Sequence, residues 1–95
     1  MDCVKLYFKD NLIGILTYDS KSRRYIFVRN IMYKNSYIDE VMGIGDEEVT
    51  FSQYLFSFFF SFLSKYSDPN YDNEYNELVR IASMNLDKNQ FWLGV

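Results

Sequence analysis

Thr50-Phe51-Ser52-Gln53-Tyr54-Leu55-Phe56-Ser57-Phe58-Phe59-Phe60-Ser61-Phe62-Leu63-Ser64-Lys65-Tyr66 is the stretch around which the chain is organised. Its large apolar residues stand at 51, 54, 55, 58, 59, 62, 63 and 66. That spacing is the i, i+3, i+4, i+7 pattern of a helix with one wide buried face. Thr50 followed by Gln53 has the form of a capping box, so the spacing predicts a main aromatic helix over 50–66. At about 100° per residue, Phe56 and Phe60 fall just outside the main stripe, and Gln53, Ser57, Ser61, Ser64 and Lys65 face water. The stripe is wider than one small sheet needs. Either Phe56 and Phe60 pack under the segment before the helix, or they form an apolar patch for another protein.

Before this stretch the pattern changes to period two. Val4, Leu6 and Phe8 alternate with Lys5 and Tyr7, Leu12 to Tyr18 forms a second run, and Arg24 to Asn30 a third. Tyr25, Phe27 and Arg29 lie on one face of the third run, and Ile26 and Val28 on the other. Asp10-Asn11 and Asp19-Ser20-Lys21-Ser22 supply turn chemistry between them. Residues 1–30 are thus expected to form an antiparallel β-meander. Gly14, inside the second run, marks a bulge or the close approach of another backbone. Residues 31–49 are an irregular connection, in which 36–42 is either a short helical turn or a fourth extended piece. Gly43 and Gly45 lack the third glycine and the Lys-Ser/Thr of a phosphate loop.

After the aromatic stretch, Asp68-Pro69 reads as an N-cap followed by proline at the first helical position. A second helix is therefore expected over 69–84, stopped at Asn85. Residues 85–95 should form a terminal turn carrying Phe91-Trp92-Leu93, a cluster that either packs back or meets a partner. The expected fold class is α+β, one domain over 1–95: a small antiparallel meander of three or more strands packed against two α-helices.

Composition narrows the function. Nine Phe, nine Tyr and one Trp in 95 residues give large buried area per side chain, and many of the tyrosines must sit at the rim. Histidine is absent and Cys3 is the lone cysteine, so the commonest general base, the commonest metal ligand and an internal disulfide are all excluded. The expectation is a non-enzyme with no catalytic residue, no cofactor and no metal. None of the paired carboxylates at Asp39/Glu40, Asp46/Glu47/Glu48 and Asp72/Glu74 has the apolar neighbours in sequence that an acid–base pair requires. Asp68, Asn70, Asp72 and Glu74 alternate as calcium-loop ligands do, but Pro69 and the missing glycine break the loop. Lys21, Arg23, Arg24, Arg29 and Lys34 beside Tyr25, Phe27 and Tyr33 form the one basic-aromatic group. With a sequence pI near 4.8 and no recognised binding motif, no direct nucleic-acid contact is expected. No secretory or membrane-spanning pattern appears, which points to a cytoplasmic location. Residues 1–38 carry seven Lys/Arg and three Asp, and residues 39–95 carry three Lys/Arg and ten Asp/Glu. The net +4 and −7 sum to the chain's −3, and each half suits a partner of opposite sign.

Val4-Lys5-Leu6-Tyr7-Phe8, Asp10-Asn11, Leu12-Ile13-Gly14-Ile15-Leu16, Asp19-Ser20-Lys21 and Tyr25-Ile26-Phe27 follow one another as strand, turn, apolar-Gly-x-Leu strand, polar turn and aromatic strand. That succession resembles the N-terminal subdomain of HipA-type toxin kinases. The Phe-rich stretch resembles the family's helix ending in Phe-x-x-Leu-Leu, and Asp87-x-x-x-Phe91-x-Leu93 is similar to the segment before its kinase core. The resemblance implies a free-standing subdomain without the kinase's lysine, catalytic loop or metal-binding acids, similar to the HipS-like small proteins of HipBST systems. Such a protein would be an antitoxin that docks on a HipT- or HipA-like kinase, with or without a DNA-binding antitoxin subunit. It would do so without catalysis, membrane or small-molecule substrate. Phe56, Phe60, Phe91 and Trp92 are the expected contact residues. A different reading is a small acidic inhibitor of a phage or mobile element, whose 39–48 and 68–77 segments imitate nucleic-acid phosphates before a host defence nuclease.

Overall fold

The computed structural model describes residues 3–95. The fold is α+β: a five-stranded antiparallel sheet with three helices and a 3₁₀ turn. The meander forms as its alternation predicts. Strand β1 (Val4–Phe8) turns through Lys9-Asp10 into β2 (Asn11–Asp19), and β2 turns through 20–23 into β3 (Arg24–Arg29). Both turns need a left-handed residue, supplied by Lys9 (φ 53) and Arg23 (φ 57). The Asp19 carboxylate braces the second by accepting from the Lys21 N–H at 3.1 Å and the Ser22 hydroxyl at 2.8 Å.

Between β1 and β2 the register slips: Leu6 faces Gly14 while Tyr7 faces Leu12. Ile13 is therefore the extra residue of a β-bulge. Asn30 pins it, its backbone N–H donating to the Ile13 carbonyl at 2.8 Å and its side chain to the Leu12 carbonyl at 2.8 Å. Gly14 is obligatory there for a second reason. A Cβ at this position would lie 2.4 Å from the Phe27 ring and 2.7 Å from the Val28 carbonyl oxygen.

Helix α1 (Ser36–Met42) follows β3, opened by Asn35, whose side chain accepts from the N–H groups of Tyr37 and Ile38, and closed by left-handed Gly43. Ile38 and Met42, one turn apart, are its buried pair. Strand β4 (Val49–Ser52) then pairs with β3. A 3₁₀ turn (Ser57–Phe59) leads into α2 (Phe60–Tyr66), and α3 (Glu74–Ala82) buries Leu78, Ile81 and Ala82. Strand β5 (Phe91–Gly94) closes the sheet beside β1, giving the order β4-β3-β2-β1-β5. Val4, Leu6, Leu16, Tyr25, Phe27 and Leu93 point from one face of the sheet into a core completed by Ile38, Phe59, Phe62, Leu63, Leu78 and Ile81.

Four expectations are corrected. The main aromatic helix does not span 50–66. Thr50 to Ser52 belong to strand β4, the chain bends over 53–56, and helix begins only at the 3₁₀ turn. Phe51 and Tyr54, assigned to the buried stripe, are exposed. The connection 31–49 takes the first of the two alternatives weighed for it, a short helix at 36–42, and the fourth strand begins only at its last residue, Val49. The second helix does not begin at Pro69. Asp68 instead accepts from the Asn70 N–H in a local turn, and Asn73 caps the helix by accepting from Asn76. The segment 85–95 ends in a strand, its backbone groups engaged by β1.

Candidate docking surface

Because every helix contributes its buried residues to one side, no layer among the described residues covers the other face of the sheet. Strand alternation sets which residues lie there. In register across the sheet run Val49, Val28, Ile15, Lys5 and Gly94; beside them run Phe51, Ile26 and Thr17; and at the far end Leu12, Tyr7 and Trp92. Phe51 is 52% exposed, Val28 39% and Val49 37%. An apolar surface of this extent on a sheet is the type of patch that proteins use for contact. Its rim is cationic. The Arg24 guanidinium lies 4.8 Å from the Phe51 ring centroid and the Lys88 ammonium 4.9 Å from the Trp92 ring.

The four residues expected to meet a partner do not form one patch. Phe56 is half-buried against the Phe27 ring, at 6.3 Å between centroids, so it belongs to the rim of the core. Phe60 is 42% exposed and borders a shallow hollow with Leu63, Pro69 and Tyr71, on the helical side. Phe91 packs inward between Phe58 and Phe8, at 4.9 and 4.8 Å. Trp92 alone lies on the open face. Its ring stacks on Tyr7 at 4.2 Å and 8°, and its indole N–H donates to the Lys9 carbonyl at 2.7 Å. Sequence reasoning missed Val28, Val49 and Phe51. The signal was present in β3, where Ile26 and Val28 make the second face as apolar as the first. A strand apolar on both faces has a second surface to cover.

Several of the polar groups singled out in the sequence are engaged structurally. One open cleft, ≈ 640 Å³, is lined by Arg29, Tyr33, Asn35, Asp39 and Glu48 among others. Its guanidinium is held by the Asp39 carboxylate and the Gly45 carbonyl. The basic-aromatic group is divided: Tyr25 and Phe27 face the core, and Arg29 is paired. Burial, and then the Glu74 carboxylate that accepts from its hydroxyl at 3.4 Å, push the Tyr25 phenol well above its ordinary value. The Ser22 hydroxyl and the Lys21 N–H hold Asp19 below the usual carboxylate range. Among the described residues no three His, Cys, Asp or Glu side chains gather as a metal site, and no helix is long and apolar enough to cross a membrane. No family model, no curated protein and no solved structure matches the chain.

Proposed function

We propose that the chain is a non-catalytic protein-binding module that docks on and neutralises a HipA- or HipT-type kinase. Two things support this. One is the resemblance of its meander to the N-terminal subdomain of those kinases. The other, which carries the reading, is the uncovered sheet face of Val28, Val49, Phe51 and Trp92. A subdomain that lies against the rest of a kinase in one chain needs such a face when it acts as a separate protein. The basic rim of Arg24, Lys5 and Lys88 suits an acidic border on the kinase, with the apolar centre supplying affinity and the rim supplying orientation.

The test is co-expression with a HipA-type kinase encoded beside it, read by co-purification and by rescue of growth. Wild type should be recovered with the kinase and restore growth. Phe51→Ser with Val28→Ser should fold but lose both, whereas Phe60→Ser should keep both. Failure of the wild-type protein to bind or rescue, or unimpaired rescue by the double variant, refutes the proposal.

A further inference from the structure

The edge of the sheet offers a second surface, independent of the kinase reading. Strand β4 ends the sheet, with β3 on one side only. The Arg29 N–H donates to the Glu48 carbonyl at 2.8 Å. In an antiparallel ladder this phase directs the backbone groups of Glu48, Thr50 and Ser52 toward β3 and those of Val49 and Phe51 away from it. The edge Val49-Thr50-Phe51-Ser52 contains no charge and no proline, so within the strand neither of these blunts it.

Charges instead flank it, with opposite signs at its two ends. Asp46, Glu47 and Glu48 precede β4, and all three are exposed. Arg23 and Arg24 lie at the other end, because Tyr25 is opposite Ser52. The Arg24 guanidinium leans over Phe51, toward the edge. The ion pairs of the described residues, Arg29–Asp39 and Arg80–Glu77, use none of these groups.

We infer that this edge pairs with the same edge of a second copy, antiparallel about a twofold axis at Thr50. Three constraints limit the register, and of those they allow only the one at Thr50 sets both outward residues of β4 against outward residues of β4. The outward-directed residues must pair with each other, paired residues must share a face, and the operation must be its own inverse. With Thr50 opposite Thr50, Val49 lies opposite Phe51 of the second copy and Phe51 opposite its Val49. Glu47 falls opposite Gln53 of the second copy, in the row that continues to its Arg24. The acidic end of each β4 thus meets the basic end of the other, twice. The apolar rows Ile26–Phe51 and Val49–Val28 join across the axis into one surface. Pairing of the edge in the opposite direction would set like charges against each other. A four-residue strand buries less than a standard interface, so the dimer forms in a concentration-dependent way and is weakened by salt.

Sedimentation and light scattering of the isolated protein over a broad concentration range, with amide exchange read by NMR, test this. Wild type should shift from monomer to dimer, and the Val49 and Phe51 amides should gain protection as it does. Val49→Pro removes only an outward N–H and should abolish the dimer, with circular dichroism checking that the fold survives. Arg24→Glu and Glu47→Arg should each weaken dimerisation by about tenfold or more, taking one lost charge contact at each end as ~1.4 kcal/mol or more. Mixing the two variants, or combining them in one chain, should recover it. A protein monomeric at all concentrations overturns the inference. So does a dimer indifferent to Val49→Pro and to both charge reversals, or one whose Val49 and Phe51 amides stay unprotected. All of these are read without the kinase, so they stand or fall separately from the docking function.

Discussion

Replacing Gly14 by Ala adds one methyl group at the most crowded point of the sheet. The new Cβ would lie 2.4 Å and 2.9 Å from two atoms of the Phe27 ring and 2.7 Å from the Val28 carbonyl oxygen. Real Cβ contacts are about a full ångström longer, so something must move. The Phe27 ring is 1% exposed and held between Phe56 and Phe59, at 6.3 and 6.1 Å. It has no free volume to swing into. The Val28 carbonyl is backbone of β3 and cannot retreat without disturbing its neighbours. Overpacking in cores costs roughly 1–3 kcal/mol, and a site closed on both sides belongs at the upper end, about 3 kcal/mol. For a domain of this size each kcal/mol moves the melting temperature by about 4–8 °C, so Gly14→Ala should lower it by about 12–24 °C. Urea unfolding gives the same quantity through its midpoint. Phe27→Leu in the same background should be less costly than the two single changes added together, because it frees the space the methyl group needs. A Gly14→Ala protein within about 1 kcal/mol of wild type, or strict additivity with Phe27→Leu, refutes the reasoning.

Phe59 and its neighbour Phe60 separate core from surface. Phe59, fully buried, should cost about 3–5 kcal/mol on truncation to Ala, whereas Phe60→Ser should cost about 1 kcal/mol or less, both read in urea. Removing the Asp39 carboxylate leaves the Arg29 guanidinium, whose side chain is 9% exposed, with one partner fewer. Asp39→Ala should therefore lose about 1–3 kcal/mol, less than Arg29→Met if the two losses were independent, and a double variant milder than their sum would show the coupling. The raised Tyr25 phenol means that the unfolded chain releases this proton before the folded one. The stability it contributes is whole below pH 10, the ordinary value, and is lost as pH rises from there toward the folded-state value. Tyr25→Phe should flatten the alkaline fall by up to about 1.4 kcal/mol per pH unit, seen as a smaller spread of urea midpoints between pH 9 and pH 11.

The meander was legible because its signals are local: alternation of Val4, Leu6 and Phe8, and turn residues where the strands end. Gly14 announced both the bulge and the close approach that the fold contains. The stretch 50–66 was half legible. Phe58, Phe59, Phe62 and Leu63 do share a helical face, but Thr50 and Gln53 imitate a helix start where the chain is strand and then a bend. The misreading has a physical cause. In β4 the polar residues Thr50 and Ser52 face the core side and Phe51 faces outward, so its pattern is inverted relative to an ordinary strand. Its pairing with β3 depends on residues far away in the chain. The same holds for β5, whose Phe91-Trp92-Leu93 is extended only because β1 is beside it. At 68–74 the expected cap, Asp68, closes a turn instead, and Asn73, five residues on, opens the helix. The candidate surface was hidden for a related reason. Which face of a two-faced strand stays bare depends on where the helices come to rest.

The partnership of β1 with β5 also governs how the molecule is made. Leu6 waits for Leu93, so during synthesis the first hairpin leaves the ribosome with one flank open and gains its neighbour only after the more than eighty residues between them have been translated. Such long-range closure slows folding. Until it happens, the Tyr7 ring and the β1 backbone are available to other nascent chains, which gives this small protein a window of vulnerability that its finished form does not have.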